Sequence, residues 1–146
     1  MNLPRPFSVL TMSNSPLLAI YKAYIEAINS RASLEPFVHP SVTHNDRSLT
    51  LAGYEAFIQS ALDAAPDLHF NATMTIANGN TLAARIEFDC VPQPPEFLGL
   101  KVSDTRKRVV FAENVFYQFR EDKIEQVWSV VDVKSVESQL NATSSE

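Results

Sequence analysis

The hydrophobic pattern of this chain changes its period near residue 68, and that change decides the fold class. Before it, apolar residues recur at helical spacing; after it, they alternate with polar residues, as in a half-buried strand. The first alternating segment has its apolar residues at even positions: Leu68, Phe70, Ala72, Met74 and Ile76. Helices followed by a meander of strands predict an α+β fold, with the helices on the concave face of a strongly curved, mostly antiparallel sheet.

Two long helices are predicted in the first half of the chain. Ser15 followed by Pro16 is typical of a helix start, with a capping hydroxyl and a proline at the first helical position. Thr50 can cap a second helix, which Pro66 ends. Both segments carry apolar residues on one face, so each should pack against the sheet.

A short helix is also predicted between these two. Ser33 can cap it, and it would run over Leu34–Val38. His39-Pro40 would end it, because the residue before a proline is pushed out of the helical region. A brief strand is expected next, over residues 41–44.

The second half predicts hairpins of alternating strands. Asn78-Gly79 suits a tight turn between the first strand and a returning strand over Leu82–Cys90. A long connection over 91–104 could cap the mouth of a cavity. Two further strands follow, over Arg108–Arg120 and Lys123–Asp132.

Glu113 is the most informative residue of these strands. It occupies an odd position between Arg108 and Arg120, and the other odd positions are apolar: Val109, Phe111, Val115, Tyr117 and Phe119. Alternation therefore places the Glu113 carboxyl group on the inner face. An unpaired ionised carboxylate would be costly there, so a specific partner or a raised pKa is expected.

Other polar residues are predicted to share that cavity. If Trp128 faces inward, Asp132 lies on the same face four residues later, near the strand end. His44 and Asn45 follow the early strand. Each of these groups could instead be a satisfied structural residue, but two carboxyl groups and an imidazole around one cavity are what proton transfer requires.

Composition and motifs restrict the remaining function classes. The 146-residue chain has a formal net charge of −5 and one cysteine, Cys90, which argues against nucleic-acid binding and excludes an intramolecular disulfide. It lacks nucleotide-binding glycine motifs and metal-ligand spacing, so neither cofactor nor metal is expected. No segment approaches the ~18 apolar residues of a membrane span. We expect a cytoplasmic protein with one domain over residues 15–140 and flexible ends at 1–14 and 141–146.

Taken in order, several segments resemble the SnoaL-like polyketide cyclases of the NTF2-like superfamily, in particular their small fungal members. The similarity runs over about residues 16–140. It rests on His39-Pro40, Val42–Asn45, Ala65–Phe70, Phe97–Leu100, Glu113–Phe119 and Lys123–Asp132.

The resemblance implies a cone-shaped fold, a homodimer packed through the convex sheet, and an apolar pocket with acid–base side chains. It also implies a role in secondary metabolism, namely cyclisation, isomerisation, or epoxide opening and hydrolysis of polyketide or terpenoid intermediates without metal or coenzyme. In bacterial members an acidic residue commonly follows the tryptophan corresponding to Trp128, whereas Ser129 stands there in this chain. The bacterial aldol mechanism therefore cannot be carried over.

Two hypotheses follow for function. In the first, the protein is a SnoaL-like cyclase, isomerase or epoxide hydrolase in which Asp132 or Glu113 is the base and His44 is the acid. Asn45 and Tyr54 would orient a hydrophobic, oxygenated substrate. In the second, the chain is a non-catalytic ligand-binding or dimeric assembly module. The other predicted substrate contacts are Phe57, Phe88, Phe111, Tyr117 and Trp128.

Overall fold

A computed structural model describes residues 15–142 of the protein. Its helices are α1 (Pro16–Asn29), α2 (Leu51–Ala64) and α3 (Val133–Asn141). Its strands are β1 (Val38–His44), β2 (Arg47–Thr50), β3 (Asn71–Asn78), β4 (Thr81–Cys90), β5 (Glu96–Phe97), β6 (Leu100–Lys101), β7 (Val109–Arg120) and β8 (Lys123–Val131). The predicted α+β class is confirmed.

One mixed sheet carries most of the structure. Its strand order is β2-β1-β8-β7-β4-β3, and β5 pairs with β6 in a separate hairpin. β1 and β8 are parallel, whereas the other neighbours are antiparallel. Register shifts interrupt β1, β3 and β8. Such bulges bend the strands that carry them, which explains the strong curvature.

The two long helices form as the sequence predicts. Ser15 Oγ accepts a hydrogen bond from the Leu17 amide at 3.2 Å, and Thr50 Oγ1 accepts one from the Gly53 amide at 3.0 Å. α1 packs against β3, and α2 packs against β1 and β2. The core thus lies between these helices and the inner face of the sheet.

The predicted short helix over Leu34–Val38 is wrong. The segment makes a single turn, in which the amides of Phe37 and Val38 both donate to the Leu34 carbonyl. β1 already begins at Val38 and contains Pro40, which the strand accommodates beside an irregularity in its pairing with β8. β2 was not predicted; it pairs with β1 across the turn Asn45-Asp46.

The predicted inner face of the first alternating segment is wrong beyond residue 72. The ladder begins at Asn71, because the Asn29 side chain binds the backbone N–H and C=O of Phe70. An extra residue, Thr73, then shifts the register between β3 and β4. Met74 and Ile76 consequently point outward and are exposed, whereas Ala77 is buried.

The end of the chain also differs from the prediction. α3 begins directly after β8, with the Asp132 side chain accepting a hydrogen bond from the Ser135 amide at 3.1 Å. Asn141, assigned to a flexible tail, is the last residue of this helix. The predicted flexible segment 1–14 and residues 143–146 lie outside the described residues.

Candidate active site

A cavity of about 480 Å³ opens between the helices and the inner face of the sheet. The hairpin β5–β6 supplies Glu96, Phe97, Leu98 and Gly99 to its wall, so the connection over 91–104 does border the cavity as predicted. Most of the lining is apolar. The polar and aromatic groups that line it are Tyr24, His44, Asn45, Tyr54, Phe57, Ser60, Phe70, Phe88, Glu96, Phe97, Phe111, Glu113, Tyr117 and Ser129.

Glu113 lies inside this cavity, on the inner face of β7. The alternation of β7 holds along its length, with Phe111 and Val115 buried on either side of Glu113. Burial raises the pKa of the Glu113 carboxyl group, and a hydrogen bond from Ser129 lowers it by a smaller amount. The predicted position of Glu113 is therefore confirmed.

Ser129 connects Glu113 to the edge of β1. Its hydroxyl donates a hydrogen bond to the Glu113 carboxylate. Its backbone N–H donates to Asn45 Oδ1 at 2.8 Å, and its carbonyl accepts from Asn45 Nδ2 at 3.0 Å. The Asn45 side chain thus extends the pairing of β1 with β8 by one residue and fixes the position of Ser129.

His44 lines the cavity and packs against residues of α2. Its ring centroid is 4.9 Å from that of Phe57 and 6.2 Å from that of Tyr54. Burial lowers the pKa of the His44 imidazole, and the nearby Arg47 lowers it further. The imidazole is therefore mostly neutral near pH 7, where it can donate one N–H hydrogen bond or accept a proton.

Two pairs of tyrosine hydroxyls lie at the cavity, and of these four residues Tyr24, Tyr54 and Tyr117 line it. The Tyr24 and Tyr54 oxygens are 2.6 Å apart, and the Tyr21 and Tyr117 oxygens are 3.0 Å apart. Burial is the largest cause that raises the pKa of all four hydroxyls, and the Glu113 carboxylate adds to it. All four therefore remain protonated at neutral pH.

Phenylalanine rings form another part of the wall. Phe88 and Phe111 stack with centroids 4.8 Å apart, and Phe70 meets Phe88 edge-on at 5.0 Å. Phe97, from the β5–β6 hairpin, meets Phe111 edge-on at 5.9 Å. The cavity thus combines a polar region around Glu113 with an aromatic region suited to a flat, apolar molecule.

Two predicted site residues lie elsewhere. Between β7 and β8 the register shifts at Glu125, so Val127 and Ser129 face inward and Trp128 faces outward. The inward orientation predicted for Trp128 is therefore wrong. Asp132 caps α3 and is exposed outside the cavity, so its predicted place beside Glu113 is wrong too.

The remaining predicted residues do line one cavity: His44, Asn45, Tyr54, Phe57, Phe88, Phe111, Glu113 and Tyr117. Sequence reasoning missed Tyr24 and Ser129. Tyr24 belongs to the apolar face of α1, where a tyrosine is indistinguishable from a core residue. Ser129 would lie on the outer face if Trp128 faced inward, and the bulge at Glu125 that reverses this arrangement leaves no clear signal in the sequence.

Comparison with known proteins identifies this arrangement. The family model of SnoaL-like polyketide cyclases matches residues 18–140. The chain belongs to this family. A SnoaL-like polyketide cyclase from Agrobacterium tumefaciens is 40% identical over 87% of this chain and 99% of that protein, with a TM-score of 0.79. No curated protein matches the sequence.

Other solved structures resemble this SnoaL-like protein in fold. AclR from Streptomyces galilaeus, a candidate hydroxylase, is 22% identical over 88% of this chain and 97% of that protein, with a TM-score of 0.72. IdmH from Streptomyces antibioticus, a candidate polyketide cyclase, is 17% identical over 88% of this chain and 100% of that protein, with a TM-score of 0.75. The predicted NTF2-like cone is thereby confirmed.

Two further properties bear on the kind of site that this family member has. In the part of the chain from residue 15 to 142, no helix is long and apolar enough to span a membrane. Within the same residues, no three His, Cys, Asp or Glu side chains gather where they could hold a metal ion.

Proposed function

We propose that the protein is an acid–base enzyme that enolises a hydrophobic, polyketide-like ketone with Glu113 as general base and thereby promotes ring closure. The observation that carries this proposal is the Glu113 carboxyl group inside an apolar cavity, with a raised pKa. A base is most effective when its pKa lies near the working pH, and burial moves a carboxylate in that direction.

The first step is a proton transfer from the substrate to Glu113. The ionised Glu113 carboxylate takes a proton from the carbon next to a substrate carbonyl, and the electron pair of the C–H bond moves onto the carbonyl oxygen as an enolate. The enolate carbon can then attack a second carbonyl, whose C=O π electrons move onto its oxygen as the new C–C bond closes the ring. Protonated Glu113 returns its proton to that alkoxide and becomes a carboxylate again. Ser129 supports the first step, because its hydrogen bond holds the carboxylate in one orientation.

His44 receives a modified role. The sequence hypothesis made it a proton-donating acid, but its lowered pKa leaves the ring mostly neutral near pH 7. We assign it a hydrogen bond from its neutral N–H to a substrate oxygen, which stabilises developing negative charge. Asn45 moves from substrate orientation to positioning, because both polar atoms of its side chain bind the Ser129 backbone.

The name of a related protein supports cyclase chemistry. The 40% identical protein from Agrobacterium tumefaciens is called a SnoaL-like polyketide cyclase. Isomerisation would share the enolate step, whereas epoxide opening would use Glu113 to activate water. A pure ligand-binding module would need no carboxylate between Phe111 and Val115. Exchange of a C–H proton separates the two enolate-forming reactions from epoxide opening and from pure ligand binding.

The experiment uses 2-tetralone, a hydrophobic bicyclic ketone, as the probe. Proton NMR in D₂O would follow the replacement of its C-1 hydrogens by deuterium. The wild-type protein should accelerate this exchange, and Glu113→Gln should lower the rate by about 10²–10⁴-fold, the usual contribution of a general base. The matched control is Glu96→Gln, which neutralises an exposed carboxylate on the cavity wall and should retain the rate.

Two outcomes would contradict the proposal. Full exchange by Glu113→Gln would remove Glu113 from the reaction. Saturable binding of 2-tetralone without any acceleration by the wild type would favour the ligand-binding module or epoxide opening.

We also propose that the convex face of the sheet joins two copies of the chain in a homodimer, as the family resemblance implies. Ile76, Ala83, Phe116 and Trp128 are successive partners across β3, β4, β7 and β8. Phe116 is 57% exposed, and Met74 and Val130 flank this apolar row on the same face. Such a row suits an isologous interface, in which each residue contributes twice.

A further inference from the structure

The hydroxyl groups of Tyr24 and Tyr54 carry two protons, but the hydrogen bond between them occupies only one. Each hydroxyl carries one proton, and only one of the two protons can lie between the oxygens. Within residues 15–142, this mutual hydrogen bond is the only one that either hydroxyl makes. One O–H group is therefore free to donate to something else.

The position of the pair shows where that donor is available. Both rings line the cavity and are almost fully buried. Tyr24 packs deeply, with its ring centroid 5.7 Å from Tyr21 and 6.0 Å from Tyr117. Tyr54 instead packs beside His44, another residue that lines the cavity, with ring centroids 6.2 Å apart. Tyr24 is thus surrounded by core rings, whereas Tyr54 packs beside the cavity-lining imidazole of His44, so we assign the free O–H to Tyr54.

We propose that the Tyr24–Tyr54 hydroxyl pair is an oxyanion-binding site, in which Tyr24 donates to Tyr54 and Tyr54 donates to a negatively charged ligand oxygen. A hydroxyl that accepts one hydrogen bond becomes a stronger donor in the next, so Tyr24 strengthens the contact of Tyr54. Tyr54 then acts directly on the ligand, and Tyr24 is a positioning residue. This inference rests on the proposed function for the origin of the charge.

The charge in the cavity supports that assignment. Before reaction, the negative charge resides on Glu113, and after proton transfer Glu113 is neutral while the charge resides on the enolate oxygen. The total charge enclosed is unchanged, so the cost of burying a second charge is avoided. Burial raises the pKa of the Tyr54 hydroxyl, so it remains a donor throughout.

The second tyrosine pair provides the internal control. Tyr21 also pairs its hydroxyl with that of a cavity-lining residue, Tyr117. Tyr21 itself faces a groove between α1 and β3 rather than the cavity. Tyr21 therefore cannot itself contact a ligand in the cavity, and removal of its hydroxyl should weaken ligand binding less than removal of the Tyr54 hydroxyl, although the chemical change is the same.

The test measures binding of 4-nitrophenol, whose phenolate form absorbs visible light. The background is Glu113→Gln, because a neutral side chain there stands in for the protonated Glu113 that accompanies an enolate. Absorbance titration should show the bound phenol as phenolate. Adding Tyr54→Phe should weaken phenolate binding by about 10–100-fold, the usual effect of one hydrogen bond to a charged group. Tyr24→Phe and Tyr21→Phe should each give a smaller loss than Tyr54→Phe.

Equal phenolate affinity with and without the Tyr54 hydroxyl would overturn the inference, as would an equal loss in Tyr21→Phe. Circular dichroism and thermal unfolding of each variant separate loss of the hydroxyl from loss of the fold. Since binding requires no turnover, the result is independent of Glu113 as a base. Tyr54-dependent phenolate binding without exchange of 2-tetralone would refute the proposed enzyme and support the oxyanion site.

Discussion

At the scale of single residues, the chemistry depends on what surrounds the Glu113 carboxyl group. Its place on β7 could be predicted, because the alternation of that strand runs without a bulge from Val109 to Gln118. Its partner could not, since Ser129 faces inward only through the register shift at Glu125. Likewise, no local pattern distinguishes the cavity-lining Tyr24 from a purely structural core tyrosine.

Ser129→Ala should raise the pKa of Glu113, because the hydrogen bond from Ser129 stabilises the charged carboxylate and the variant lacks it. The base acts only when ionised, so the acid limb of the pH–rate profile for 2-tetralone exchange should move to higher pH. Ser129→Thr keeps a hydroxyl and should leave the limb in place. Identical profiles for the alanine variant and the wild type would show that the hydrogen bond does not tune the base.

At the scale of elements, the differences from the sequence prediction have a common cause. Period-two alternation identifies a face only while the ladder is continuous, and one extra residue exchanges the faces of everything that follows. Thr73 does this in β3 and Glu125 does it in β8. Met74, Ile76 and Trp128 were therefore assigned to the wrong face, whereas the uninterrupted β4 and β7 were assigned correctly.

The junction of β1 with β8 gives the prediction at this scale. Asn45→Gly keeps the positive φ of 47° accessible but removes two hydrogen bonds to Ser129. Urea unfolding should show a loss of about 1–2 kcal/mol, at roughly 1 kcal/mol for each bond, and 2-tetralone exchange should slow.

Asp46→Gly is the matched control for this junction. It is the neighbouring turn residue, with a φ of 68°. Glycine there relieves the backbone without touching Ser129, so stability and exchange should both be retained. If the two glycine variants behaved alike, the Asn45 side chain would have no positioning role.

At the scale of the whole molecule, the fold class was accessible because the change of period separates helices from strands. The parallel pairing of β1 with β8 was not, because that contact joins segments about 80 residues apart in sequence and no local pattern specifies it. The apolar row on the outer face could not be predicted either, because Ile76 and Trp128 join it only through the bulges in β3 and β8.

Phe116→Asp should convert the proposed dimer into a folded monomer. The residue occurs twice in an isologous interface, and at about 2 kcal/mol per copy the dimer dissociation constant should rise about 1,000-fold. Light scattering during size-exclusion chromatography measures the mass. Trp128, the single tryptophan, should report the change as a red shift of its emission.

The control variant is Ala19→Asp, which adds the same charge at an exposed position of α1 and should remain dimeric. A monomeric wild type would contradict this interface.

The central claim is that Glu113 is a buried carboxyl group poised as a base, and its own titration tests this most directly. Carbon-13 NMR of protein labelled at the glutamate carboxyl carbon would follow each resonance with pH, and Glu113→Gln would identify the Glu113 signal by its disappearance. We predict that this signal reports a pKa above the ordinary glutamate value of about 4.3, because burial raises it. A Glu113 carboxyl group that titrates within the ordinary range would contradict the account.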